Sequence, residues 1–465
     1  MLNSTENYFD FVVIGAGVVG CAIAREITKY SNSVALIDRL DDVGADTSKA
    51  NTAILHTGFD MKPGTLESRL VREGYELLYQ YAKDNQISVE ETGAILVAWN
   101  ETELAELDNI LENAKANNYL QARKITSSEI YEFEPNLNPG ALGGLLIPNE
   151  YIIDPWSVSI SFASQAIKAG LKLFLNTKVL EINRDENTFN IKAENRTFAT
   201  KFIINAAGLY SDKIDDLLGF DELEITPRRG ELIVFDKLAR KKFNHIILPV
   251  PTKMGKGVLI SPTIFGNVML GPTAVDVKDK EDKRTTQEGL ETLLNKGNLL
   301  SSSLIEEEVT STYAGLRAAS NQSDYFIKYR KENSSITVGG IRSTGLTSSL
   351  AIGKYVVDLL KQSNLLTNEI NNMVNFPMPV LGEAFNRAYK DEAKISQNPS
   401  YGEIICHCER VTKQELIDAL NSTIPPQSLG GLSRRTRVCL GRCQGFYCLS
   451  EVRKLIAENS KEVIS

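Results

Sequence analysis

The sequence predicts an α/β fold in three parts: a parallel-sheet domain, a mixed-sheet domain and a small α-rich domain at the C-terminal end. Three observations predict it. The first is Phe11-Val-Val-Ile-Gly-Ala-Gly-Val-Val-Gly20, an apolar run followed by G-x-G-x-x-G. The second is the repetition, far down the chain, of apolar strands that end in small residues. The third is the confinement of five of the six cysteines to the stretch from Cys406 to Cys448.

The first segment reads as strand, tight turn and helix. Phe11 to Ile14 suits a buried parallel strand, and Val19, Ile23 and Ile27 recur at a helical period. Val34-Ala-Leu-Ile37 follows as a second strand with Asp38 at its end. Gly15, Gly17 and Gly20 permit a tight turn, close approach of a diphosphate and close helix–strand packing, and Asp38 can accept from a ribose hydroxyl. The helix N-terminus offers N–H groups to an anion. This is a Rossmann-like dinucleotide site.

Gly44 to Gly58 is small and polar and reads as a loop beneath the cofactor, with a short buried segment from Ala53. Helices are expected over 66–82 and 101–117, the latter solvated, with a strand over 95–98 between them; Pro135 to Pro148 reads as loop. A helix over 155–169 and strands over 172–175 and 179–182 come next. Phe202-Ile-Ile-Asn-Ala-Ala-Gly208 is a strand running into small residues, which lets a second backbone segment approach the same nucleotide. A site built from residues so far apart favours a large flavin dinucleotide over a nicotinamide one. Strands over 232–235, 258–261 and 268–270 suggest a mainly antiparallel sheet, and the charged run Lys278 to Arg284 reads as a solvated loop. Ile336 to Thr347 repeats the strand-then-small-residue pattern and leads into a helix over 349–361, whose N-terminus can face a carbonyl or diphosphate.

A chain of 465 residues exceeds one ordinary domain. The expected division is 1–75, 150–225 and 326–370 for the flavin domain, 76–149 and 226–325 for the substrate domain, a linker over 371–400, and 401–465 for the cysteine-rich domain. A net charge of −8 with interspersed signs argues against nucleic-acid binding. No apolar run reaches the ~18 residues of a membrane span. The polar, acidic first ten residues are unlike a signal peptide, so a cytoplasmic location is expected.

Cysteines clustered in a reducing compartment suggest a metal site. Cys406-His-Cys408 and Cys443-Gln-Gly-Phe-Tyr-Cys448 can hold two sulfide-bridged irons; zinc is the alternative, though its knuckles more often use C-x2-C. Thr412 and Glu415 between them form a capping box that opens a helix. Arg434, Arg435, Arg437 and Arg442 gather nearby and would raise the potential of an anionic cluster. Of the three histidines, His56 has small neighbours that leave room for a substrate, while His245 lies in a basic stretch and reads as surface.

With these residues in view, the chain resembles the flavin-dependent oxidoreductases of the D-amino-acid-oxidase superfamily, above all the glycerol-3-phosphate oxidase and dehydrogenase branch, with 2-hydroxyglutarate oxidases nearby. The resemblance rests on the fingerprint, Ser48-Lys-Ala-Asn51, Ala53-Ile-Leu-His56, Lys62-Pro-Gly-Thr-Leu66, Gly255-Lys-Gly257, Tyr313-Ala-Gly-Leu-Arg317 and Arg342-Ser-Thr-Gly-Leu-Thr347. It implies non-covalent FAD, with His56 as catalytic base and Arg317 and Lys256 on an anionic substrate. Thr52 offers a substrate-side hydroxyl, and Arg342 either contacts substrate or stabilises negative charge on reduced flavin. Thr52 stands where the family often has serine. The residues expected at FAD are Gly15, Gly17, Gly20, Asp38, Thr47, Ser48, Thr52, Ala53, Ile54, Val179, Gly208, Thr344, Gly345, Leu346 and Thr347. The tail resembles the bacterioferritin-associated-ferredoxin-like [2Fe–2S] domain, which implies Cys406, Cys408, Cys443 and Cys448 as ligands. Cys439 departs from the expected pattern and is either a substitute ligand or a spare thiol.

Together these imply an FAD-dependent dehydrogenase of sn-glycerol 3-phosphate. Electrons would leave through the cluster to an external acceptor, such as a second flavoprotein or a quinone-linked subunit. The alternatives are L-2-hydroxyglutarate oxidation and a non-catalytic flavin/iron–sulfur carrier, which would need no base at position 56.

Overall fold

A computed structural model describes residues 7–251 and 257–459. Five parallel strands form the heart of the first sheet, in the order Lys172–Phe174, Val34–Ile37, Tyr8–Ile14, Thr197–Asn205 and Ser335–Gly339. Antiparallel strands Phe326–Arg330, Thr188–Ala193 and Val179–Asp185 extend it. Strand order reverses beside Tyr8–Ile14, so the carboxyl ends of the central strands open a crevice there. Val12 and Val13 are fully buried at the centre, as parallel strands covered on both faces require. Helix Val18–Thr28 packs between Pro155–Lys168 and Gly345–Gln362 and buries Ile23 and Ile27 completely.

The second sheet has nine strands and is mixed: Ile246–Pro249 runs parallel to Ala94–Ala98, and its other pairings are antiparallel. Its long hairpin-like pair, Ile225–Phe235 against Val309–Ser320, brings Arg228 opposite Arg317. The stretch expected as loop over 135–148 contains a strand, Gly143–Ile147. Its two glycines hide the strand pattern, yet a Cβ on Gly144 would lie 2.4 Å from the Leu96 carbonyl oxygen. Helix Glu101–Ala116 is not wholly solvated either, since Leu107, Ile110 and Ala114 are buried. Among the described residues no helix is long and apolar enough to cross a membrane.

The charged run over 278–284 is a strap rather than a free loop. Lys280 reaches both Asp212 oxygens at 2.6 Å, Glu281 pairs with Arg39 at 2.7 Å and also meets Tyr210, and Lys283 pairs with Asp46 at 2.7 Å. Segment 371–400 crosses the surface with little regular structure but is anchored by buried Met378, Leu381 and Arg387.

The C-terminal domain joins strands Ile404–Cys406 and Val411–Thr412 to helices Lys413–Leu420, Leu429–Thr436 and Leu449–Asn459. The Thr412–Glu415 capping box is present. Leu416, Leu432, Val438 and Val452 centre a core of its own. The arginines that gather by the cysteines are each engaged by a carboxylate. Arg434 and Arg435 grip buried Asp42 in the loop after the second strand at 2.6 and 2.7 Å, and Arg437 pairs with Glu409 at 3.1 Å. Arg442 pairs with Asp236 and Glu308. The pairs to Asp42, Asp236 and Glu308 tie the small domain down, the Arg437–Glu409 pair lies within it, and each arginine faces a carboxylate.

Burial raises the Asp42 carboxyl, but Arg435 and Arg434 outweigh it and hold the group below its ordinary range. A depressed folded value stabilises docking fully above the unfolded pKa of about 3.9, and that stabilisation is lost as pH falls through the folded value. We expect the hydrogen-exchange protection of helix Leu429–Thr436, relative to intrinsic rates, to stay constant from pH 7 to the unfolded value and to fall below it, and Asp42→Asn to remove that dependence.

Candidate functional site

The carboxyl ends of strands Tyr8–Ile14 and Thr197–Asn205, and the turn after Ser335–Gly339, open onto one cavity of about 1260 Å³. That exceeds the ~300–1,000 Å³ of an ordinary small-molecule pocket. It has room for a dinucleotide with a substrate beside it.

The fingerprint glycines serve packing as much as ligand approach. Gly15 has φ +108°, and a Cβ there would sit 2.4 Å from the Ala206 carbonyl oxygen. The second strand–turn thus packs directly on the first. Gly20 lies behind the turn, where a Cβ would collide with the Gly15 carbonyl. Gly17 lines the cavity, and its Cβ would touch only the Ser48 hydroxyl; at Gly208 a Cβ would meet open space. These gaps leave the cradle that a diphosphate needs. Asp38 lines the same wall and accepts from the Ala16 N–H at 2.6 Å and the Leu40 N–H at 2.8 Å. Burial raises its carboxyl.

Val179, Thr47, Ser48, Thr52, Gly345 and Leu346 also line the cavity. Two of the hydroxyls already serve the protein: Thr47 donates to the Leu316 carbonyl at 2.9 Å, and Ser48 accepts from the Val18 N–H at 3.0 Å. Ala53, Ile54, Thr344 and Thr347 lie off the wall. Ala53 has φ +56° and is held by the Asn51 side chain, while Thr344 bonds Tyr325 and Glu67. Thr347 accepts from the His56 N–H at 3.0 Å. Lys256 lies outside the described residues.

His56 faces the cavity from just beyond strand Ile54–Leu55. Its Nδ1 lies 3.0 Å from Glu150 Oε2. Sequence reasoning missed Glu150, and a register it could not see brings the pair together. Strand Ile54–Leu55 pairs antiparallel with Tyr151–Ile153, Leu55 opposite Tyr151, so the next positions outward meet. His245, expected at the surface, is half-buried with Nδ1 2.8 Å from Glu134.

Arg317 lines the cavity and, among the described residues, its guanidinium reaches the Thr273 carbonyl alone, at 3.4 Å from each terminal nitrogen. Arg228 beside it is paired with Asp276 at 2.6 and 3.0 Å. Burial, then Arg228, lowers the pKa of Arg317. Among the described residues no carboxylate pairs with it, so it presents an uncompensated cation to the cavity. Arg342 donates to the Ser323 carbonyl at 2.7 Å, and its buried Nε has no protein partner among the described residues.

In the small domain the thiols meet in pairs: Cys406 with Cys448, Cys408 with Cys443, and Cys439 Sγ 3.7 Å from Cys448 Sγ. Burial pushes Cys406 and Cys448 up to about 11. Burial also raises Cys443, but the Tyr447, Gly445 and Phe446 N–H groups, with Cys408, outweigh it and favour the thiolate. Two thiol pairs suit a two-iron core, in which each iron takes two thiolates.

Comparison with known proteins agrees with this geometry. Residues 10–359 match the family described as FAD dependent oxidoreductase, and residues 404–458 match the BFD-like [2Fe-2S] binding domain. A glycerol 3-phosphate dehydrogenase of Caloramator mitchellensis is 34% identical over 97% of this chain and 94% of its own. The structure of L-alpha-glycerophosphate oxidase from Mycoplasma pneumoniae, dithionite-reduced with FAD bound, superposes with a TM-score of 0.76 at 31% identity. It covers 80% of this chain and 99% of its own. An L-2-hydroxyglutarate dehydrogenase of Indibacter alkaliphilus is 29% identical over 60% of this chain and 71% of its own.

Proposed function

The chain belongs to the FAD dependent oxidoreductase family and carries a BFD-like [2Fe-2S] binding domain, and from that premise we propose that it oxidises sn-glycerol 3-phosphate to dihydroxyacetone phosphate. The observation that carries this reading is Arg317, a guanidinium in the cavity wall with no carboxylate partner among the described residues. A dianionic phosphate supplies what it lacks, through a bidentate fork.

Bound FAD supplies a hydride acceptor, and the cluster a one-electron outlet toward an external acceptor. The residues that would hold FAD surround Gly15, Gly17, Asp38, Val179, Gly208 and the N-terminus of helix Gly345–Gln362. Cys406, Cys408, Cys443 and Cys448 would hold the cluster, with Cys439 as a spare thiol beside Cys448. Arg317 binds the phosphate, Lys256 and Arg342 are the further cations, and Thr52 contributes a hydroxyl. His56 takes the proton from the substrate's secondary hydroxyl as its carbon loses hydride; imidazole suits a base working near neutrality.

The relative acting on L-2-hydroxyglutarate favours a second reading, in which Arg317 holds a carboxylate. Anaerobic mixing of the holoenzyme with each substrate separates the two. We expect sn-glycerol 3-phosphate to bleach the flavin absorbance within the turnover time and L-2-hydroxyglutarate to leave it unchanged. The reverse pattern would install the second reading, and bleaching by neither would leave the carrier function standing.

A further inference from the structure

We infer that Glu150 is a positioning residue that sets which nitrogen of His56 takes the substrate's proton; the inference rests on the reading of His56 as base. Glu150 is fully buried in the turn before strand Tyr151–Ile153. Its two oxygens do different things. Oε1 accepts from the Thr57 N–H at 2.6 Å and lies 2.8 Å from the Thr57 hydroxyl. Oε2 lies 3.0 Å from His56 Nδ1. An ionised carboxylate only accepts, so Nδ1 must carry the ring proton. The lone pair is then on Nε2, which has no protein partner among the described residues, while the imidazole lines the cavity.

The surroundings make the arrangement rigid. The backbone N–H of His56 is held by Thr347 and that of Thr57 by Glu150, so the ring is fixed from both sides of its own peptide. Among the described residues no lysine or arginine pairs with Glu150. Among the described residues, Tyr75 and Tyr119 sense its charge. Burial raises both phenols and the Glu150 charge adds to the rise, so they face it neutral. The negative charge of Glu150 is therefore directed at the imidazole, where it also stabilises the imidazolium formed on proton transfer.

Glu150→Gln tests this without changing the side chain's shape. The buried Thr57 N–H must keep an acceptor, so the glutamine carbonyl turns toward it and the amide NH2 faces His56 Nδ1. Nδ1 then accepts, and the ring proton moves to Nε2, on the cavity side. In holoenzyme labelled with ¹⁵N-histidine, three imidazoles contribute signals, and His56→Asn assigns the one of interest. We expect the wild-type resonance to report a protonated Nδ1 and the Glu150→Gln resonance a protonated Nε2. In the variant, kcat should fall steeply, by up to about 10⁴-fold, the cost of a base held in the wrong tautomer. KM should stay within a few-fold, because phosphate is held by other residues.

An unchanged tautomer in Glu150→Gln overturns the role of Glu150, whatever happens to turnover. A changed tautomer with unchanged kcat overturns it equally. If His56→Asn turns over normally, the base assignment fails as well, and that failure is visible apart from the tautomer result.

Discussion

Replacing His56 by asparagine should lower kcat by about 10²–10⁴-fold, the range that a positioned general base contributes. Asparagine is chosen because its amide NH2 can stand near the place of Nδ1–H and keep Glu150 satisfied, while nothing remains where Nε2 was. Alanine would leave a fully buried carboxylate without its partner and confuse lost chemistry with lost structure. Substrate affinity should change little, since the proposed anion-binding Arg317 stands on the opposite sheet, in strand Val309–Ser320. Anaerobic stopped-flow bleaching with saturating sn-glycerol 3-phosphate gives the rate directly. A bleaching constant within threefold of wild type would reject a base at this position and point to a carrier or to another proton acceptor.

What was legible in the sequence was what short range encodes. The Gly15–Gly20 turn, the acid at Asp38 and the Ala206–Ala207–Gly208 ending announce themselves because each is a constraint among neighbours in the chain. The Thr412–Glu415 box is legible for the same reason, with cap and partner three residues apart. Partnerships set by tertiary packing left no trace. Glu150 meets His56 through strands of two and three residues, too short to show a period. Asp42 looks like one more acid in a polar loop until helix Leu429–Thr436 is laid on it. Charge runs mislead similarly: composition shows that 278–284 and 434–442 are charged, but whether a charge faces water, a cofactor or a carboxylate depends on what folds over it. Thr47 and Ser48 line the cavity, yet each hydroxyl is engaged by a backbone group there.

Arg317 carries the second large effect, and its two consequences run in opposite directions. In the free enzyme its guanidinium is desolvated, stands opposite Arg228 across the strand pair, and has one long carbonyl contact in return. Burying an unpaired cation destabilises the fold, and a like charge directly opposite adds to that. Methionine has similar length and no charge to desolvate, so Arg317→Met should raise the melting temperature of the substrate-free protein. The same change should lower kcat/KM for sn-glycerol 3-phosphate by about 10²–10³-fold, the loss of a bidentate charge-assisted pair in a site with little water to replace it. Inorganic phosphate provides the internal check. A ligand that binds only the folded state stabilises it by mass action, so millimolar phosphate should raise the melting temperature of wild type and leave that of the methionine variant unmoved. A variant that melts lower than wild type, or keeps its phosphate response, would mean that Arg317 has a structural partner and that the anion is recognised elsewhere in the cavity. If Arg317 behaves this way, a binding group opposes folding in the empty enzyme and the free energy withheld there is recovered when the anion arrives.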